Sequence, residues 1–263
     1  METKISNRQI ITTMVKRDLV IQARDKYEFI FRVGMLPFIL ILIYGYVLPK
    51  IGVVSADFPQ YMFPGMVGMS LLLTGIHGTA VPLTMDFNNS REIEDRLQAP
   101  IDTRYIAIAK MIVGIIESWI GALIVLPISL IFMNEYLVFS FTFGQIIGLI
   151  GVLILASFAS ATLGLLVGTI VKPMQIAAMF PGFLMPMVFT GAIFFTWDAL
   201  SALPVLQMLV LVNPLVYINE ALRALMYVDV ASMPLVFSVL GMVVFTIIMG
   251  YVGFKRFMRL AQN

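Results

Sequence analysis

Two ionisable residues, His77 and Glu117, stand inside long runs without charge, and they are the first candidates for chemistry. Each lies seven residues in, counted from Thr84 for His77 and from Lys110 for Glu117, which is about 10 Å by the rise of a helix. A histidine beside a carboxylate can belong to a hydrolytic triad, a metal site or a proton relay, and the sequence withholds the other parts of each. There is one histidine and no cysteine, which excludes disulfides, thiolate metal sites, cysteine nucleophiles and a His-rich metal or haem centre. A proton path would need further charged groups along it, and none follows. No catalytic residue and no metal ligand is therefore assigned. A carboxylate within a membrane is by default a functional group. The alternative is a buried Glu117 that only pins two helices together. Their equal depth allows a Glu117–His77 contact if the two helices are neighbours.

No lysine is followed by serine or threonine, so the phosphate-binding loop G-x-x-x-x-G-K-[ST] is absent. The chain cannot hydrolyse ATP by that route, and ATP with its Mg would have to sit on a partner. One polar stretch is patterned enough to meet such a partner. Residues 84–105 include Ser90-Arg91-Glu92-Ile93-Glu94-Asp95-Arg96-Leu97, with Pro100 after them. Ser90 suits an N-cap, the acidic residues suit a first turn, and Pro100 ends the helix. Ile93 and Leu97 fall one turn apart on one face. The alternative is a solvated loop helix with no partner.

These residues must be positioned by helices in lipid. Of 263 residues 60% are apolar and 12% charged, against roughly 45–50% and about 25% in soluble domains. The uncharged runs predict an all-α integral membrane protein of one domain, 1–263, with six transmembrane helices at about 30–49, 61–83, 106–133, 141–171, 174–195 and 234–254. Each reaches the roughly 20 residues that a ~30 Å hydrocarbon layer requires. Continuous apolarity favours helices over a barrel, whose strands alternate. Residues 199–219 are also uncharged, but the stretch between Asp198 and Asn213-Pro214 covers only about 21 Å as a helix. Six crossings place 15 basic residues inside and two, Lys50 and Arg223, outside. The positive-inside rule then puts both termini in the cytoplasm of a cell with the chain in its inner or plasma membrane.

Three pieces do not cross. Residues 6–29 mix Ile10, Ile11, Met14, Val15 and Leu19 with Arg8, Lys16, Arg17, Arg24 and Lys26, as a helix lying along the interface does. The N-terminus lacks the features of a signal peptide and is expected to stay in the mature protein. Residues 84–105 hold the cytoplasmic helix described above. Residues 196–233 are too apolar for a solvated loop and are expected to re-enter the membrane or pack on the spans. Ala156, Ser160, Gly164 and Gly168, with Gly144 and Gly148 in register, let another helix approach the fourth span closely. Phe194 and Phe195, with Phe189 and Trp197, either line an exit gate or form an interfacial aromatic belt. Pro214 should break the outer segment into two short helices. Arg223 either meets Glu220 three residues before it or reaches lipid headgroups.

Four stretches together resemble the membrane subunit of ABC-2 (ATP-binding-cassette, type 2) exporters over nearly the whole chain. They are Phe63-Pro64-Gly65-Met66, the segment from Arg91 through Leu97-x-Ala99-Pro100, the run Thr190-Gly191-Ala192-Ile193-Phe194-Phe195, and Asn213-Pro214-Leu215-x-Tyr217 followed by Arg223. Thr190 departs from the family pattern, where a smaller or more apolar residue is expected. The resemblance implies a half-transporter, with two copies forming a homodimer and two ABC ATPase subunits docked on the helix around 90–100. Coupling would then fall to Arg91, Glu92, Ile93, Glu94, Asp95, Arg96, Leu97 and Pro100. The outer gate candidates are Phe194, Phe195, Asn213, Pro214, Tyr217 and Arg223. The cargo would be an amphiphilic drug, a lipid or a glycoconjugate. No nucleic-acid partner and no cofactor in this chain is expected. A secondary transporter would need more embedded charges than Glu117, and a non-transporting scaffold would not need the outer re-entrant segment.

Overall fold

The computed structural model describes residues 6–24, 26–88, 102–227 and 230–261, and among them there is no strand. Helix α1 (Asn7–Ala23) starts at a capping box in which the Ser6 side chain accepts from the backbone and Gln9 reaches back to the Ser6 N–H. Helix α2 (Tyr27–Lys50) is long and apolar, and its stretch Ile41–Val47 is wound as a π-helix. Helix α3 (Phe58–Asn88) follows, then α4 (Arg104–Met133). Helix α5 (Phe143–Gly168) opens at a second capping box, Thr142 with Gln145. The last long helix, Leu235–Leu260, is reached only after several short ones.

Among the described residues five helices have the length and apolarity to cross a bilayer, and a bent pair makes a sixth if it counts as one span. The expected span at 174–195 is not one straight helix. It begins with a 3-10 turn at Pro173–Gln175 and an α turn at Ile176–Met179. Helix α6 (Phe180–Thr190) continues it, π-wound through Leu184 and α-helical from Met185. Pro181 and Pro186 remove backbone donors from this run, which is why it cannot wind regularly. Next come α7 (Pro204–Val212) and α8 (Pro214–Met226), which meet at an angle of 102°. The break expected at Pro214 is there, with Asn213 extended (ψ 117°) and its side chain accepting from Leu215 N–H. Leu235–Leu260 is α9.

Helix α3 is the centre of the bundle. Its apolar window is 83% buried, against 11% for α9, so α3 is surrounded by protein and α9 faces outward. It packs on α4, α5 and α8. In lipid, apolar surface alone does not draw helices together, so close approach over small residues carries the packing. A Cβ on Gly164 would lie 2.8 Å from Thr79 Cβ, and one on Gly168 would lie 3.0 Å from Ala80 Cα. The small-residue face of α5 therefore seats α3 along its second half. Gly148 meets Leu225 of α8 instead, and nothing stands within 4 Å of Gly144.

Candidate functional site

The coupling residues Arg91, Glu92, Ile93, Glu94, Asp95, Arg96, Leu97 and Pro100 lie outside the described residues. The structure does show what holds the two helices that carry this segment. Lys110 of α4 is buried, with its Nζ 2.7 Å from Asp18 Oδ2 of α1 and 2.9 Å from Asp86 Oδ2 near the end of α3. One ammonium thus ties three helices at the point where α3 ends and α4 begins. Such a group is tolerated in a low-dielectric site only when paired and hydrogen-bonded. Sequence reasoning missed this triad. The available signal was Lys110 itself, a cation inside an apolar helix that must find counter-charge.

His77 and Glu117 do not meet. Helices α3 and α4 are neighbours as required, but adjacent positions on a helix point about 100° apart. Gly78, not His77, faces Glu117: a Cβ there would lie 2.5 Å from Glu117 Oε2. Glu117 is buried, and neither of its carboxylate oxygens has a hydrogen-bond partner among the described residues. His77 turns to the other side, where its Nδ1 lies 2.9 Å from Leu73 O and its ring is 6.0 Å from that of Phe180. A carbonyl can only accept, so Nδ1 carries the proton.

The structure brings two of the six outer candidates, Asn213 and Arg223, into one polar joint. Arg223 is fully buried and paired with Glu220 of the same helix. It also donates to Tyr61 O (3.0 Å from Nη2) and Ala192 O (2.8 Å). Glu220 accepts from the backbone N–H of Trp197 (2.9 Å) and of Met233 (2.7 Å). The alternative in which Arg223 reaches lipid headgroups is excluded, because the side chain is fully buried and its guanidinium makes four hydrogen bonds inside the protein. Asn213 donates to Met187 O (2.7 Å) and to Thr190 Oγ1 (3.0 Å), and Asn219 donates to Gly191 O (2.6 Å).

These bonds have one physical purpose. Helix α6 ends inside the protein, where its last carbonyls would otherwise lack partners. Asn213, Asn219 and Arg223 of the α8 region supply donors to Met187, Gly191 and Ala192 in turn. Ala192 holds φ 55°, a left-handed conformation unusual for a residue with a side chain, and Arg223 fixes its carbonyl. Thr190, which departs from the expected pattern, provides the second acceptor for Asn213. Gly65 permits the approach, since a Cβ there would lie 2.8 Å from Ile193 Cα.

The two phenylalanines are separated. Phe194 packs on Tyr44 of α2 and Phe189, with centroids 4.9 and 6.0 Å away. Phe195 joins Trp197 and Tyr217 around Ala192, Leu200, Val210, Val216 and Met233. Tyr217 O–H donates to Leu211 O across the bend, at 2.8 Å. Beside this joint runs an apolar groove of about 970 Å³, walled by Val167 of α5, Phe183 of α6, Leu206 of α7 and Phe245 of α9, with Thr190 and Asn213 among its few polar edges. Among the described residues no three His, Cys, Asp or Glu side chains converge as metal ligands would.

Among the described residues the chain is all-helical, with α3 buried at its centre and the bent pair α7 and α8 forming either one broken span or a re-entrant loop. The pattern of the family described as ABC-2 type transporter matches residues 9–227, and the chain belongs to that family. It is 26% identical over 192 residues to the inner membrane transport permease YadH of Escherichia coli strain K12, covering 73% of this chain and 71% of that protein. The permease of the same name from Shigella flexneri gives the same figures.

Proposed function

We propose that the chain is the permease half of an ATP-driven exporter, inserted in the inner or plasma membrane with both termini in the cytoplasm. Two copies form the pathway, and ATPase subunits carrying ATP and Mg dock on the helix at 90–100. The cargo is an amphiphilic drug, lipid or glycoconjugate taken from the cytoplasm or the inner leaflet. The observation that supports this most is family membership combined with the Asp18–Lys110–Asp86 tie. The segment expected to meet the ATPase hangs between two helices locked to each other and to α1, so a push on it is passed to the bundle rather than lost in a loose loop. The bend between α7 and α8 supplies an outer element able to open.

Leu97 tests the reading. Burying Ile93 and Leu97 in a partner's groove is worth on the order of 3–5 kcal/mol, at ~1.5–3 kcal/mol for each large aliphatic side chain. Exposed ion pairs around them add little and set partner choice. Leu97→Asp should therefore abolish co-purification of the ATPase subunit and stimulation of its activity, and leave membrane insertion and homodimer formation intact. Normal co-purification and transport by that variant would remove the coupling assignment.

A further inference from the structure

A second cavity, of about 440 Å³, opens between α2, α3 and the start of the broken run, and it differs from the large groove in carrying charge. Leu36 of α2, Leu73 of α3, and Ile176 and Phe180 form apolar walls, while Glu28, Arg32 and His77 line the same space. Its size falls in the range of small-molecule sites, ~300–1,000 Å³, which commonly combine apolar walls with a few placed polar groups. The irregular backbone at 173–184 points the same way. It is helical throughout, wound as 3-10, α and π in turn, and π segments inside helices recur at functional sites.

Arg32 decides what the cavity would hold. It stands more than one helical turn inside α2, and among the described residues it makes no ion pair. Its guanidinium lies 5.6 Å from the centroid of the Phe29 ring. The side chain is exposed in the single chain and reaches the cavity from its rim. A guanidinium at the edge of a low-dielectric space favours a planar or tetrahedral anion, which it can hold through two parallel N–H donors. Glu28, one turn away on the same helix and lining the same space, disfavours a second negative charge there. His77 has Nδ1 engaged with Leu73 O, so its opposite nitrogen is the one open to a ligand.

We propose that this cavity binds an amphiphile with a single negative charge, its carboxylate or phosphodiester on Arg32 and its apolar body against Leu36, Leu73 and Phe180. Movement of this ligand outward as cargo rests on the exporter reading; its binding does not. The test uses the purified full chain in nanodiscs of neutral phosphatidylcholine, with a fluorescent fatty acid, its primary amide and the matching amine as probes. The fatty acid should bind saturably and about tenfold or more tighter than the amide, as a charge-assisted hydrogen bond gives. Arg32→Gln should leave no more than about a twofold difference, Arg32→Lys should keep part of it, and Lys255→Gln on α9 should change nothing. Discs doped with phosphatidylglycerol identify the source: competition makes the natural ligand a bilayer lipid, and its absence makes it a free amphiphile, both with the anion preference intact. Equal binding of acid and amide, or a preference that survives Arg32→Gln, overturns the site. Failure of ATP-driven export alongside retained acid binding would count against the exporter reading and leave the site standing.

Discussion

Lys110 illustrates how a single residue can be conspicuous in a sequence while its role is not. A cation in an apolar helix announces that counter-charge lies nearby, but Asp18 belongs to a segment read as an interfacial helix, and nothing in local spacing joins the two. The joining requires α1 to lie on α4, which is a fact of packing. Arg223 presents the opposite case, because Glu220 was within sight and only burial decided between it and lipid headgroups. Lys110→Met would leave Asp18 and Asp86 buried without the ammonium between them. Removing one partner from a buried ion pair costs about 3–5 kcal/mol, so the variant should show clearly lowered thermal stability in detergent. Asp18→Asn should cost less, because Lys110 keeps Asp86. Equal stability of Lys110→Met and the parent chain would mean that the triad contributes nothing to holding the three helices.

Among the elements, the long helices were legible in the sequence because uncharged length is what a bilayer selects. The broken run was not. Apolar counting over 174–195 sees enough residues for a span and is blind to Pro181 and Pro186, whose effect is on winding rather than hydrophobicity. The break at Asn213-Pro214 was legible for the converse reason, since Pro fixes its own φ and restrains the residue before it. What could not be read was the use of that break: it places Asn213 against Met187 and Thr190 of α6. Pro214→Ala should let α7 and α8 straighten toward one longer helix, draw Asn213 from both partners and, on the proposed exporter reading, impair export while ATPase co-purification persists. Unchanged export from this variant would separate the bend from the gate.

For the molecule as a whole, the proposed orientation rests on the distribution of Lys and Arg, and it is open to direct measurement because the chain has no native cysteine. Single cysteines at Gln60, Glu135 and Ser201 should react with an impermeant thiol reagent added from outside, and those at Asn89 and Gln262 should not; labelling of Gln262 would overturn the orientation. The polar joint has a further consequence, for how the protein is made. Arg223 caps the Tyr61 carbonyl from 162 residues further along the chain, and Asn219 and Arg223 close the end of α6 only after most of the bundle exists. At about 5–20 residues per second, α3 waits roughly 8 to 30 seconds in the bilayer before its partner leaves the ribosome. During that interval the bonds from Arg223 to Tyr61 O are still to form, and the helices available to pack on α3 are those that precede α8, chiefly α4 and α5.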